Sequence, residues 1–137
     1  CTSAELGVFG AGVCDPRVVC AMPLAGSISR TYFGPTGHTS VTIPFLSMSG
    51  GADPVGADTQ FASTPEVAMT WVEVADACHQ FFALGCDADA PLDEDLIVGG
   101  FTLAFARAHV LSDASTTVSA ILDGSRVLSP RVTLMTR

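Results

Sequence analysis

Residues 41–79 decide the fold: VTIPFLSMS (41–49), then GGADP (50–54), then AMTWVEV (68–74), ending in ADACH (75–79). The first run is short, apolar and uncharged, as suits a strand buried on both faces. The Gly50, Gly51 and Pro54 turn breaks it and leaves the Asp53 carboxylate just past the strand end. A second apolar run follows and stops at a loop carrying His79. Strand, loop with acid, strand, loop with base is an order that places Asp53 and His79 at one edge of a parallel sheet. In open α/β sheets ligands bind at that edge, outside the carboxyl ends of the strands. The two residues are 26 positions apart, which leaves room for a crossing helix and the second strand.

Working outward, residues 18–24 (VVCAMPL) read as a further buried strand, introduced by the loop signal of Asp15, Pro16 and Arg17. Pro23 falls near its end, where a missing donor costs least. Residues 29–40 are polar and form a loop, 57–64 a loop or short helix, and 86–91 a loop. Thr64, Pro65 and Glu66 resemble a helix or turn start. Phe81 and Phe82 begin a short helix after the His79 loop. The clearest helix spans 93–110. Asp93, Glu94 and Asp95 crowd its first turn, where the helix dipole favours negative charge. Ile97, Phe101, Ala104, Phe105 and Ala108 recur at helical spacing and should pack on a sheet face. The tail holds short apolar runs at 120–122 and 132–135 around an Asp123-Gly124 turn. It predicts a helix or strand and then a terminal strand. The whole, 1–137, is one α/β domain with a mostly parallel sheet and flanking helices.

The totals narrow the functional classes. With 48% hydrophobic and 15% charged residues, burial is abundant and disorder is disfavoured. A net charge of −8, with no lysine, argues against nucleic-acid partners and anionic membrane surfaces. No apolar run is long enough to span a bilayer. The opening residues do not read as a signal peptide, so a processed or truncated start is expected. Five cysteines point to an oxidising, secreted or periplasmic location. Their odd number leaves one unpaired within the chain. The simplest local pairs are Cys14 with Cys20 and Cys78 with Cys86, and the sequence does not fix the connectivity.

At Asp53 and His79 the chain resembles the α/β-hydrolase family, in its dienelactone hydrolase and secreted esterase-like branches. That family orders its triad nucleophile, acid, histidine along the chain. The resemblance covers roughly 1–110 and implies the C-terminal half of such a hydrolase, with Asp53 as acid and His79 as base. Within it, the 29–40 loop would overlie the pocket, and Tyr32 and Phe33 would line a substrate site or else cover the sheet edge. One element is absent: no Gly-x-Ser-x-Gly nucleophile elbow occurs. The nucleophile would then sit on a separate N-terminal chain cut from the same precursor, acting on a small ester and without a cofactor.

The chemistry of the pair follows from the residue types. A general base needs an imidazole held by a carboxylate on its far nitrogen, which fixes the tautomer and stabilises the imidazolium. The bland alternative for His79 is a structural histidine beside a disulfide. Asp58 and Asp76 are rivals to Asp53; Asp76 reads as a turn former, and Glu73 as a solvated or hydrogen-bonded strand residue. Ser27, Ser40, Ser47 and Ser49 lack an elbow context. Cys1 could serve as an N-terminal nucleophile with its own α-amino group as base, but such enzymes need a packed antiparallel sandwich. Cys78, His79 and Cys86 supply only three ligands for a metal, without a paired Cys-x-x-Cys. A non-catalytic α/β binding or structural domain is the alternative from a different class.

Overall fold

A computed structural model describes residues 15–26, 37–82 and 93–137. Three strands form one sheet in the order β1 (Phe45–Gly50), β2 (Met69–Val74), β3 (Val132–Thr136). β1 and β2 run parallel, with Phe45 opposite Met69 and Gly50 opposite Val74. β3 lies antiparallel to β2, with Val74 opposite Val132 and Thr70 opposite Thr136. The architecture is α/β and the sheet is mixed, since the expected terminal strand returns against the direction of the other two.

The segment expected as a strand over 18–24 is reduced to two parallel bridges, Ala21 to Phe45 and Leu24 to Met48. Ala21 N–H donates to Pro44 C=O, Leu46 N–H to Ala21 C=O, and Met48 N–H to Pro23 C=O. This alternation puts residue 23 where a donor should meet the Leu46 carbonyl. Proline has no N–H, so the ladder is interrupted there. Val18, Val19, Met22 and Leu24 stay exposed along this segment. β1 likewise begins later than 41, after Pro44, because proline withholds the donor of a further ladder bond.

Among the described residues three α-helices accompany the sheet: α1 (Ala57–Ser63), α2 (Gly100–Val110) and α3 (Thr116–Leu122). The helix expected over 93–110 opens with a π turn, Asp95–Gly99, and continues as α2. Its expected stripe faces the core: Ile97, Phe101, Ala104 and Phe105 are buried, and Ala108 is half-buried. Ile97, Phe101 and Phe105 pack with Leu46 and Met48 of β1 and Val72 and Val74 of β2. Fully burying one such aliphatic or aromatic side chain contributes about 1.5–3 kcal/mol, so this layer dominates the fold's stability. Alternate residues of β1 and β2 turn to a second cluster. There Val67 and Met69 pack with Phe45 and Phe61. Trp71 stacks on Phe61 of α1 at 5.4 Å between ring centroids.

The serines within the apolar run are explained by that second face. Ser47 and Ser49 are buried, and the Trp71 indole Nε1–H donates to Ser49 Oγ at 2.8 Å. Both polar groups are thereby satisfied in a dry environment. Thr64 closes α1, its Oγ1–H donating to Gln60 C=O at 2.8 Å, and Thr64, Pro65 and Glu66 start a turn rather than a helix, with the Val67 N–H donating to Thr64 C=O at 3.1 Å. Arg137 then ties β3 to that end of α1, donating to Val67 C=O, Phe61 C=O and Thr64 Oγ1, with its guanidinium 4.1 Å above the Phe61 ring.

Candidate active site

The exits of β1 and β2 cross at backbone distance. Gly51 N–H donates to Val74 C=O at 2.9 Å, Ala52 N–H to Ala77 C=O at 3.0 Å, and Asp53 N–H to Gly50 C=O at 3.0 Å. A Cβ on Gly50 would stand 2.0 Å from the Ala77 carbonyl oxygen, so only glycine admits this crossing. After β2 the chain turns through Asp76, whose φ of +58° is left-handed. Asp and Asn tolerate that conformation better than other side chains, which accounts for Asp76 as a turn former. The turn delivers His79 as the first residue of the 3-10 segment His79–Phe82, with Phe81 and Phe82 buried beneath it.

The two loops bring Asp53 and His79 together. His79 Nδ1 lies 3.2 Å from Asp53 Oδ1 and 3.1 Å from Oδ2. Asp53 Oδ1 also accepts the Val55 N–H at 3.0 Å, an Asx turn that fixes the carboxylate. The Asp53 side chain is 1% exposed and the His79 ring 52%. With the carboxylate on Nδ1, that nitrogen carries the proton in the neutral ring, and Nε2 holds the lone pair. Among the described residues, Asp53 supplies the hydrogen-bond partner of the ring, and no hydroxyl or thiol joins it. The rivals separate cleanly. Asp58 is exposed beside Thr59 on α1, and Asp76 is exposed in its turn.

Behind the His79 turn stands a cluster that the sequence did not single out. Arg131 donates from Nε and Nη2 to Ala75 C=O at 3.2 and 2.9 Å, and from Nη1 to Asp93 Oδ1 at 2.7 Å. Ser129 Oγ–H donates to Asp93 Oδ2 at 2.6 Å. The guanidinium lies 5.4 Å from the Phe81 ring centroid. The legible hint was slight: Ser129-Pro130-Arg131-Val132 repeats the pattern of 15–18, a turn closed by an arginine at a strand start.

Cys78 is disulfide-bonded, and its partner lies outside the described residues, as does Cys86. That bond commits the Cys78 sulfur and removes it from any metal set with His79. Cys20 is a free thiol, half-buried against the main core, so the Cys14–Cys20 pairing does not form. Tyr32, Phe33, Cys1 and Ser27 lie outside the described residues. Among the described residues no group of three His, Cys, Asp or Glu side chains is placed to hold a metal, and no helix is long and apolar enough to cross a membrane. The chain matches no protein-family model and no curated protein.

Proposed function

We propose that this chain supplies the acid and the histidine of a Ser-His-Asp carboxylic ester hydrolase of the α/β-hydrolase type, with the serine nucleophile on an N-terminal chain of the same precursor. One observation carries it: a buried carboxylate holds the Nδ1 edge of a half-exposed imidazole at the ends of two adjacent parallel strands. His79 Nε2 takes the serine proton as the oxygen attacks the ester carbonyl. Asp53 stabilises the imidazolium that results. The same proton passes to the departing alkoxide, leaving an acyl-enzyme. Water then attacks with His79 again as base, and the acid is released. The absence of a Gly-x-Ser-x-Gly elbow in the sequence, and of a hydroxyl on His79 among the described residues, supports a nucleophile from outside these residues. Tyr32 and Phe33 are assigned to the acyl or alcohol pocket by the resemblance alone. The disulfide at Cys78 supports a secreted or periplasmic location.

The rival use of Cys1 as nucleophile requires a packed antiparallel sandwich, whereas the sheet here is mixed, with helices packed on it. A serine-directed fluorophosphonate on native material, followed by denaturing separation, tests the proposal. Label on a partner chain is the expected result. Label on this chain, or none on active material, rejects it.

A further inference from the structure

We infer that Arg131 is a positioning residue for His79: its guanidinium, anchored on Asp93, grips both flanks of the His79 turn and keeps the imidazole Nδ1 on Asp53. The inference rests on the proposed role of His79 as general base, and adds the support that such a base needs.

The His79 turn is pinned at buried Ala77, whose C=O accepts the Ala52 N–H, and at Phe81 and Phe82, but its first half is held less firmly. Ala75 and Asp76 are exposed, Asp76 is left-handed, and the 3-10 segment is four residues long. The His79 ring is half-exposed, and its contacts to Asp53, at 3.1 and 3.2 Å, sit at the long end of hydrogen bonding. A displacement of the turn by less than about 1 Å would break them. Arg131 reaches both sides of this turn. Four residues before His79 it places two N–H groups on one oxygen, the Ala75 carbonyl. Two residues after His79 its guanidinium carbon lies 5.4 Å over the buried Phe81 ring. Its third contact, Nη1 to Asp93, comes from the start of the core helix segment, whose other carboxylate oxygen is held by buried Ser129. The backbone adds Ala75 N–H to Arg131 C=O at 2.9 Å. The Arg131 side chain is 18% exposed; its bond to Asp93 is part-buried, while the two bonds to Ala75 lie at the surface.

The geometry also says why arginine. One planar group donates in two directions while its cation stays over an aromatic ring, which a point-charge ammonium does not do as well. Arg131→Lys therefore keeps the attraction to Asp93 but loses the fork on Ala75.

The test reads the imidazole itself. In the full chain, ring 15N shifts of His79, assigned by their loss in His79→Gln, report the tautomer at neutral pH. The wild type should show the Nδ1–H form. A folded Arg131→Met, judged by an unshifted Trp71 indole N–H signal, should show both tautomers, as should Asp53→Ala. With the companion chain present, kcat should fall about tenfold to a hundredfold with KM little changed. A folded Arg131→Met that keeps a single Nδ1–H form overturns the inference. Should that variant not fold, Arg131→Lys decides by the same spectrum, and failure of both to fold also overturns it. If the wild type lacks esterase activity while the tautomer still responds to Arg131, positioning stands and the hydrolase reading falls.

Discussion

Asp53 and His79 share a hydrogen bond but not a solvent environment: the carboxylate is 1% exposed and the imidazole 52%. The asymmetry keeps the carboxylate fixed while leaving the far side of the imidazole open to solvent. His79→Ala should lower ester hydrolysis by roughly four powers of ten in the assembled enzyme. The fold should survive, at a loss of no more than about 1–3 kcal/mol for the carboxylate left with fewer partners. Turnover of an activated ester, beside a thermal melt, checks both halves; near-wild-type turnover refutes the assignment.

Gly50→Ala should be among the most disruptive single-methyl changes in the chain. The added Cβ would meet the Ala77 carbonyl oxygen at 2.0 Å, and backbone cannot swing aside as a flexible side chain can. A destabilisation of about 3 kcal/mol or more is expected, against about 1–3 kcal/mol for ordinary overpacking. Urea midpoints measure it. Gly99→Ala is the control, since a Cβ there meets open space in a helical backbone and should stabilise by up to about 1 kcal/mol.

Trp71→Phe keeps most of the aromatic packing against Phe61 but strands the buried Ser49 hydroxyl. A loss of about 1–3 kcal/mol beyond the change in ring size should result. Adding Ser49→Ala should return part of that loss, since both partners are then apolar. Strict additivity of the two substitutions in a double-mutant cycle would contradict the bond.

Acid sensitivity should have a component at Asp113. The Ser115 N–H, and then Arg107, hold its carboxyl below the ordinary value of 3.8. Asp123 is lowered in the same way by Ser125. A depressed folded-state value contributes stability above the unfolded pKa, and that contribution is lost as pH falls from about 4 through the folded value. Asp113→Asn should therefore reduce the urea midpoint at neutral pH and flatten its decline below about pH 4. Equal slopes in wild type and variant would exclude the effect.

Thiol mapping gives a direct check on the cysteines. Alkylation of denatured, unreduced protein should modify Cys20 and spare Cys78, which becomes reactive only after reduction. Modified Cys78 in unreduced material would refute the disulfide next to His79.

The meeting of Asp53 and His79 was legible because period and punctuation agree locally. Apolar runs ending in Gly50, Gly51 and Asp53, and then in Asp76 and His79, specify two strand exits with one polar group each. The core stripe from Ile97 to Phe105 was legible for the same reason, since helical spacing is a local signal. The sheet's outer parts were not. The direction of β3 depends on how the chain returns after α3, which no short window contains. The weakness of 18–24 depends on which face of Pro23 meets β1, a matter of register. Arg131 escaped notice because its partners, Ala75, Phe81 and Asp93, lie 38 to 56 positions away in sequence, and a lone arginine at a strand start carries no pattern.

The crossing of the β1 and β2 exits has a consequence for when the pair exists at all. Its amides at Gly51 and Ala52 donate to carbonyls at the end of β2 and just beyond it, so they close only once the parallel register is set across the α1 connection. Such nonlocal pairing is a slow event in folding, and the acid–base contact forms with it rather than before it. In the native state, hydrogen exchange at these two amides should follow global unfolding instead of local opening. The atoms that align the chemistry are then the atoms that close the sheet, and substitutions that perturb one are read out through the lifetime of the other.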